Sequence, residues 1–287
     1  MTTPLVFKLG GELVEAPADR ARIAAACRAV AARRPLVVVH GGGRSVDAEM
    51  DRRGLTPRKI DGLRITDAAT LDVVVSVLAG SANTALVAAL VEAGVAAVGL
   101  TGVDAGLGLA TRQQAHRTST GEVADLGFVG DPAEADPRLL AMLLGHAYVP
   151  VIASIGFERR ATPGTARALL NVNADVMAGR VAAALGATLV IAGATAGVLD
   201  AGGATIASLD LAGIDDLIAR GTATAGMIAK LTACRTALVH GAPEVRIVDG
   251  RAVDAAHGPD EAPGTTLVVR PAQGAPDDRA ASAAGRA

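Results

Sequence analysis

A chain of 287 residues, 51% of them hydrophobic, with a mean hydropathy of +0.39, can bury a large core as one domain or two close lobes. Aromatic residues make up 1% of it, Trp is absent and the formal net charge is −2, which excludes base-stacking surfaces and a basic footprint for nucleic acid. The core must come from Ala, Val, Leu and Ile, and no apolar stretch is expected to reach the roughly 18 residues of a membrane span.

Residues 5–7 read as a strand, 20–32 as a helix with apolar positions at helical spacing, and 36–39 as a second strand, together one βαβ unit. After His40-Gly41-Gly42-Gly43 a polar helix is expected over 44–53. Thr66 is the expected cap of a long helix starting at Asp67. Its apolar stretch over 71–95 reads as buried, interrupted by Asp72, Ser76, Gly80, Ser81, Asn83 and Glu92. A strand follows at 95–100. Over 111–130 polar and apolar residues alternate around Ser119-Thr120-Gly121, predicting hairpins that form a small lid over an acceptor site. The alternation resumes with a strand at 149–155, a helix at 173–185 and a strand at 188–192, a second lobe beginning near 166. Helices at 210–220 and 226–239 and strands at 245–248 and 266–269 complete the pattern. Strands alternating with helices define an α/β protein with a mostly parallel sheet covered on both faces. The expected division is 1–165, 166–270 and a disordered tail over 271–287, which is Ala-, Gly- and Asp-rich without periodicity.

Several polar or glycine-rich segments fall just after predicted strands, where open α/β sheets bind ligands. In Lys8-Leu9-Gly10-Gly11, bare backbone amides and an ammonium suit a phosphoryl group, although a lysine at a strand end beside a turn has the same pattern. Gly41-Gly42-Gly43 frees the first N–H groups of a helix for an anion. His40 beside it reads as a structural hydrogen-bonding residue rather than a base. The dinucleotide fingerprint is incomplete, because Val46 stands where its third glycine belongs, and a P-loop is absent from the sequence. Arg64 offers a planar fork for a carboxylate, or an ion pair with Asp61 or Asp67. Arg52, Arg53, Arg58 and Lys59 read as solvated surface. In Asn171-Val172-Asn173-Ala174-Asp175, Asn173 suits a helix cap and Asp175 sits where it can hold lysines. Cys27 and Cys234 are lone thiols without metal-type spacing, consistent with buried small hydrophobes in a reducing compartment.

Taken in order, Lys8-Leu9-Gly10-Gly11, Val39-His40-Gly41-Gly42-Gly43, Asp61-Gly62-Leu63-Arg64-Ile65-Thr66, Asn171-Val172-Asn173-Ala174-Asp175 and Gly226-Met227-Ile228-Ala229-Lys230 resemble the amino acid kinase family, and within it the acetylglutamate kinases. Asp125-Leu126-Gly127-Phe128-Val129-Gly130 and Gly264-Thr265-Thr266 are similar to further family landmarks, so the resemblance covers about residues 5 to 269.

The resemblance implies an open three-layer αβα sandwich. Residues 1–165 would hold the acyl acceptor and the dimer contact, and 166–270 ATP with Mg²⁺, the metal held mainly by the phosphates. It implies phosphorylation of the side-chain carboxylate of N-acetyl-L-glutamate in arginine biosynthesis, by a cytoplasmic homodimer without nucleic-acid or membrane partners. By motif position, Lys8 and Lys230 stabilise the transferring phosphoryl group and Asp175 orients them. Gly42, Gly43, Arg64 and Asn171 hold the acceptor, with Arg64 on its α-carboxylate, while Gly10, Gly11, Gly197 and Gly226 contact the nucleotide. The chemistry is consistent: a carboxylate is already ionised at neutral pH, so the catalyst neutralises charge and aligns partners rather than abstracting a proton. Two departures stand out. Ala194 occupies the place of a family aspartate at the nucleotide site, and Ala225 and Ala229 replace a family glycine and proline before Lys230. Lys8 lies close to the start of the chain, which leaves no room for the N-terminal helix that interlocks arginine-inhibited hexamers, so a dimer without that switch is expected. Alternatives are an aminoadipate-type acceptor, a carbamoyl- or aspartyl-phosphate-forming relative, and a ligand-binding regulator without turnover.

Overall fold

The computed structural model describes residues 2–113, 115–117, 121–159, 167–220 and 225–269. Residues 119 and 120 of the predicted hairpin region, the lobe boundary near 166 and the tail from 271 lie outside the described residues.

Strands β1 (Leu5–Leu9) and β2 (Leu36–His40) flank helix α1 (Pro17–Ala31), and α2 (Gly43–Arg52) follows the triple glycine. A short hairpin, β3 (Lys59–Ile60) and β4 (Leu63–Arg64), precedes a long helix made of α3 (Ala68–Val75), a π-helical segment over Ser76–Ala82 and α4 (Asn83–Glu92). Then come β5 (Ala97–Thr101), β6 (Gly108–Arg112), β7 (His116–Arg117), β8 (Val123–Ala124) and β9 (Val129–Ala135). Helix α5 (Arg138–Gly145) leads into β10 (Val149–Ala153), β11 (Ile155–Glu158) and β12 (Leu169–Val172). The remainder is α6 (Ala174–Leu185), β13 (Thr188–Gly193), β14 (Ser208–Asp210), α7 (Leu211–Ala219), α8 (Ala225–Val239), β15 (Glu244–Asp249) and β16 (Gly264–Val268).

The central sheet has the order β14-β16-β15-β13-β1-β2-β10-β5 and is parallel except at β15–β16, as the α/β pattern predicts. Alternation along each strand sorts side chains to two faces. Val6, Val37, Val39, Leu189 and Ile191 pack under α6, with Met177 and Val181. Leu5, Phe7, Leu9, Val38 and Val190 pack on the other side, with Ile23 and Cys27 of α1 and Leu86 of α4. These strands are buried on both sides, so they read as continuous apolar runs. Lys8 breaks the run on Val6's face.

The predicted hairpins are present, and they extend further than the sequence suggests. Strands β6, β9, β12 and β11 close into a small barrel, and β7 pairs antiparallel with β8. The predicted strand over 149–155 divides at Ser154, so β10 serves the central sheet and β11 the barrel. The helix over Ala68–Glu92 also departs from expectation: its 25 residues include an 18-residue window with a mean hydropathy of 2.0, long and apolar enough to cross a bilayer by length and composition. In the fold Val73, Val74 and Leu78 pack with Val46 and Met50 of α2, whereas Leu86 and Leu90 pack under α1. The π-helical turn between them shifts the buried stripe from one core to the other.

Candidate active site

The C-terminal ends of β1, β2 and β13 open on a cleft of about 400 Å³. Lys8, Gly10, Gly11, Gly42, Gly43, Arg64, Asn171, Asp175 and Lys230 all line it, as do Glu12 and Lys59. Gly197 and Gly226 are not among its lining residues. Gly197, at a φ of +129°, packs against Thr265 instead.

Lys8 shares Val6's face and therefore points at the start of α6. Its Nζ lies 2.7 Å from Asp175 Oδ1, and both side chains are largely buried, which a charge tolerates only beside a partner. Asp175 is itself held by the helix cap: Asn173 Oδ1 accepts from the backbone N–H groups of Asp175 at 2.8 Å and Val176 at 3.3 Å. A carboxylate in this first turn also faces the positive end of the helix. Asp175 makes no ion pair with Lys230.

The two glycine turns touch. A Cβ on Gly11 would stand 2.9 Å from Gly42 Cα, so a side chain there would force the backbones apart. Beside them His40 is fully buried. Its Nε2 accepts from Asn83 Nδ2 at 3.1 Å, and its Nδ1 donates to the Gly41 carbonyl at 3.0 Å. Burial lowers its pKa and keeps it neutral, so it is the structural residue its context suggested.

Arg64 lies on β4, which folds back over α2. Its guanidinium pairs with Asp47 Oδ1 at 2.6 Å, and donates to the Gly43 carbonyl at 3.1 Å and to Met50 Sδ at 3.2 Å. Neither sequence candidate is its partner. Asp61 pairs with His116 at 3.0 Å, and Asp67 accepts from Thr70 N at 2.8 Å, capping α3. Thr66, the expected cap, is buried and donates its hydroxyl to the Arg64 carbonyl at 2.9 Å. It accepts from Asn171 Nδ2 at 3.1 Å. The cap passed to Asp67 because the Thr66 hydroxyl is committed to the cleft wall.

Lys59 is exposed, as expected of a surface residue, but it also borders the cleft and pairs with Asp47 Oδ2 at 2.7 Å. Burial opposes ionisation of Asp47, yet the hydrogen bonds from Lys59 and Arg64 outweigh it and leave its pKa below the ordinary carboxylate value. A compositional signal was available. Of 27 basic residues only Lys8, Lys59 and Lys230 are lysines, and all three line one cleft. With Arg64 they set four cations against Glu12 and Asp175, a balance suited to a polyanion.

At the C-terminal side, the Ala194 carbonyl accepts from Arg251 at 3.2 Å, and Arg251 pairs with Asp249 at 2.7 Å. The thiols take no part. Burial pushes Cys27 up to about 12, and raises Cys234 as well, the negative charge of Asp175 adding to it.

Residues 3–249 match the amino acid kinase family. The chain is 43% identical over 219 residues to the acetylglutamate kinase of Symbiobacterium thermophilum, covering 75% of this chain and 73% of that protein. It is 40% identical over 250 residues to the acetylglutamate kinase of Chloroflexus aurantiacus, covering 87% and 93%. In structure it is similar to N-acetylglutamate synthase from Neisseria gonorrhoeae, solved with coenzyme A and N-acetyl-glutamate, with a TM-score of 0.78 at 21% identity over 94% of this chain and 60% of that one. At that identity the likeness speaks for the fold alone.

Proposed function

Because the chain belongs to the amino acid kinase family, we propose that it transfers the γ-phosphoryl group of ATP to the side-chain carboxylate of N-acetyl-L-glutamate, forming an acyl phosphate in arginine biosynthesis. Relatives at 40–43% identity bear the name of that activity. The observation that carries the reading is the meeting of Arg64 with Lys8 and Lys230 in one cleft of net positive lining.

The acceptor carboxylate attacks as the anion it already is, so the residues have electrostatic and positional work to do. Arg64, fixed by Asp47 and the Gly43 carbonyl, presents its remaining face to the α-carboxylate, and Asn171, tied to Thr66, binds beside it. The Gly42 and Gly43 amides complete the acceptor wall. Lys8, set by Asp175, and Lys230 flank the phosphoryl group and offset the charge that builds on its oxygens. Gly10 and Gly11 let backbone approach the phosphates, Gly193 lines the same cleft, and the family resemblance extends the nucleotide site to Gly197 and Gly226 outside that lining. Mg²⁺, when bound with ATP, neutralises phosphate charge. We propose that this cation is carried in mainly by the phosphates.

The proposal includes an N-terminal lobe for the acceptor, a C-terminal lobe for ATP, and a homodimer acting in the cytoplasm, where thiols stay reduced. Hydroxylamine trapping tests it. With Mg-ATP, hydroxamate should form from N-acetylglutamate well above that from N-acetylaminoadipate, aspartate or carbamate. No hydroxamate from any acceptor, or a larger yield from another, would sink the assignment.

A further inference from the structure

Glu12 is the acidic residue of the cleft lining that the transfer just described leaves without a task, and its position is unfavourable unless a cation joins it. It follows Gly10 and Gly11 in the turn after β1 and is partly buried. Its carboxylate is folded back over Gly10: a Cβ on Gly10 would fall 2.7 Å from Oε2. The carboxylate therefore faces the cleft, where the triphosphate is expected, and like charges would repel.

Lys230 is its neighbour in the lining of the cleft. A Cβ on Gly193 would lie 3.4 Å from Glu12 Oε1 and 3.4 Å from Lys230 Nζ. The carboxylate and the ammonium flank the same small cradle, yet they form no ion pair with each other or with another described residue. The two remaining acids near the cleft are engaged, Asp175 with Lys8 and Asp47 with Arg64 and Lys59. Glycine at 193 leaves the cradle empty of side chain.

Magnesium keeps most of its water and is characteristically taken by one or two carboxylates together with substrate phosphates. One carboxylate and one ammonium, each without an ion-pair partner among the described residues, and a gap between them fit that arrangement. Resting on the reading of this cleft as an ATP site, we infer that Glu12 is a ligand, direct or through metal-bound water, for the divalent cation that accompanies the nucleotide, and that Lys230 takes the phosphate oxygens on the other side of the cradle. Glu12 thereby makes the site select the metal complex over the bare nucleotide. Without the cation it repels the triphosphate; with it, the same charge attracts.

Calorimetric titration of the intact protein with ATP, once in excess Mg²⁺ and once in EDTA, reads this selectivity directly, without turnover. The wild type should prefer Mg-ATP. Glu12→Gln should lower that preference about tenfold, weakening Mg-ATP and tightening metal-free ATP, while Glu12→Asp, which keeps the charge, should retain most of it. Thermal unfolding without ligand serves as the folding control, and should Glu12→Gln fail it, the ratio is read from Glu12→Ser. An unchanged ratio of the two affinities, including a parallel loss in both, would overturn the inference and return Glu12 to a role through Lys230 or the turn. Absence of ATP binding by the wild type in either buffer would instead overturn the functional reading beneath it.

Discussion

Lys8 and Lys230 face the same cleft from opposite halves of the chain, and they are held in opposite ways. Lys8 is 9% exposed, is fixed on the central strand and is paired with Asp175 at 2.7 Å. Lys230 is partly exposed on α8 and has no ion-pair partner among the described residues. The proposed acceptor wall follows the first pattern, since Arg64, Lys59 and Asn171 are all tied to protein partners. One side of the site is thus built by folding, and on the proposed function the other is completed by its ligand. Preorganised charge costs nothing to reorganise during reaction, whereas a free ammonium can follow a phosphoryl group as it moves.

The largest effects separate the two lysines. Lys8→Ala and Lys230→Ala should each lower kcat by about 10²–10³-fold, the usual cost of removing one transition-state donor. Stability should part them: Lys8→Ala strands the buried carboxylate of Asp175 and should cost about 2–4 kcal/mol in urea unfolding, while Lys230→Ala should cost less than about 0.5 kcal/mol. Equal stability losses would break the comparison.

Smaller effects sharpen it. Arg64→Lys keeps the charge and loses the fork, so the acceptor KM should rise about tenfold with a smaller change in kcat. Gly11→Ala pushes the two glycine turns apart and should reduce kcat/KM several-fold, by about 1 kcal/mol of transition-state stabilisation. The smallest effect is on acid stability. The folded pKa of Asp47 is lowered, so its contribution is complete above the unfolded value of roughly 4 and disappears as pH falls through the folded one. The stability gap between wild type and Asp47→Asn, followed by urea titration, should be present at pH 7 and close in acid. A gap that persists at the lowest pH would show that the ion pairs with Lys59 and Arg64 are not its source.

Much of this frame was legible locally. Apolar runs ending in Lys8 or in His40-Gly41-Gly42-Gly43 are buried parallel strands opening onto turns, and Asn173 caps α6 as its position suggested. What escaped was pairing between elements. Arg64 was expected to use Asp61 or Asp67, its neighbours in sequence, but the β3–β4 hairpin folds onto α2 and delivers it to Asp47. The same fold-back sets the exposed Lys59 at the border of the cleft. Thr66 and Asp67 are adjacent cap candidates; Asp is the stronger cap, and the Thr66 hydroxyl is taken up by the Arg64 carbonyl and Asn171. The barrel was missed because its strands come from separate parts of the chain, and closure leaves no local periodicity to read.

Lysine footprinting tests the contrast between the two halves most directly, because the chain has only three lysines. Under reductive methylation with peptide mass spectrometry, Lys230 should label readily in the free protein and be protected by Mg²⁺ with a non-hydrolysable ATP analogue, while Lys8 labels slowly in both states. Lys8 labelling as fast as Lys230, or Lys230 gaining no protection from the nucleotide, would contradict the account.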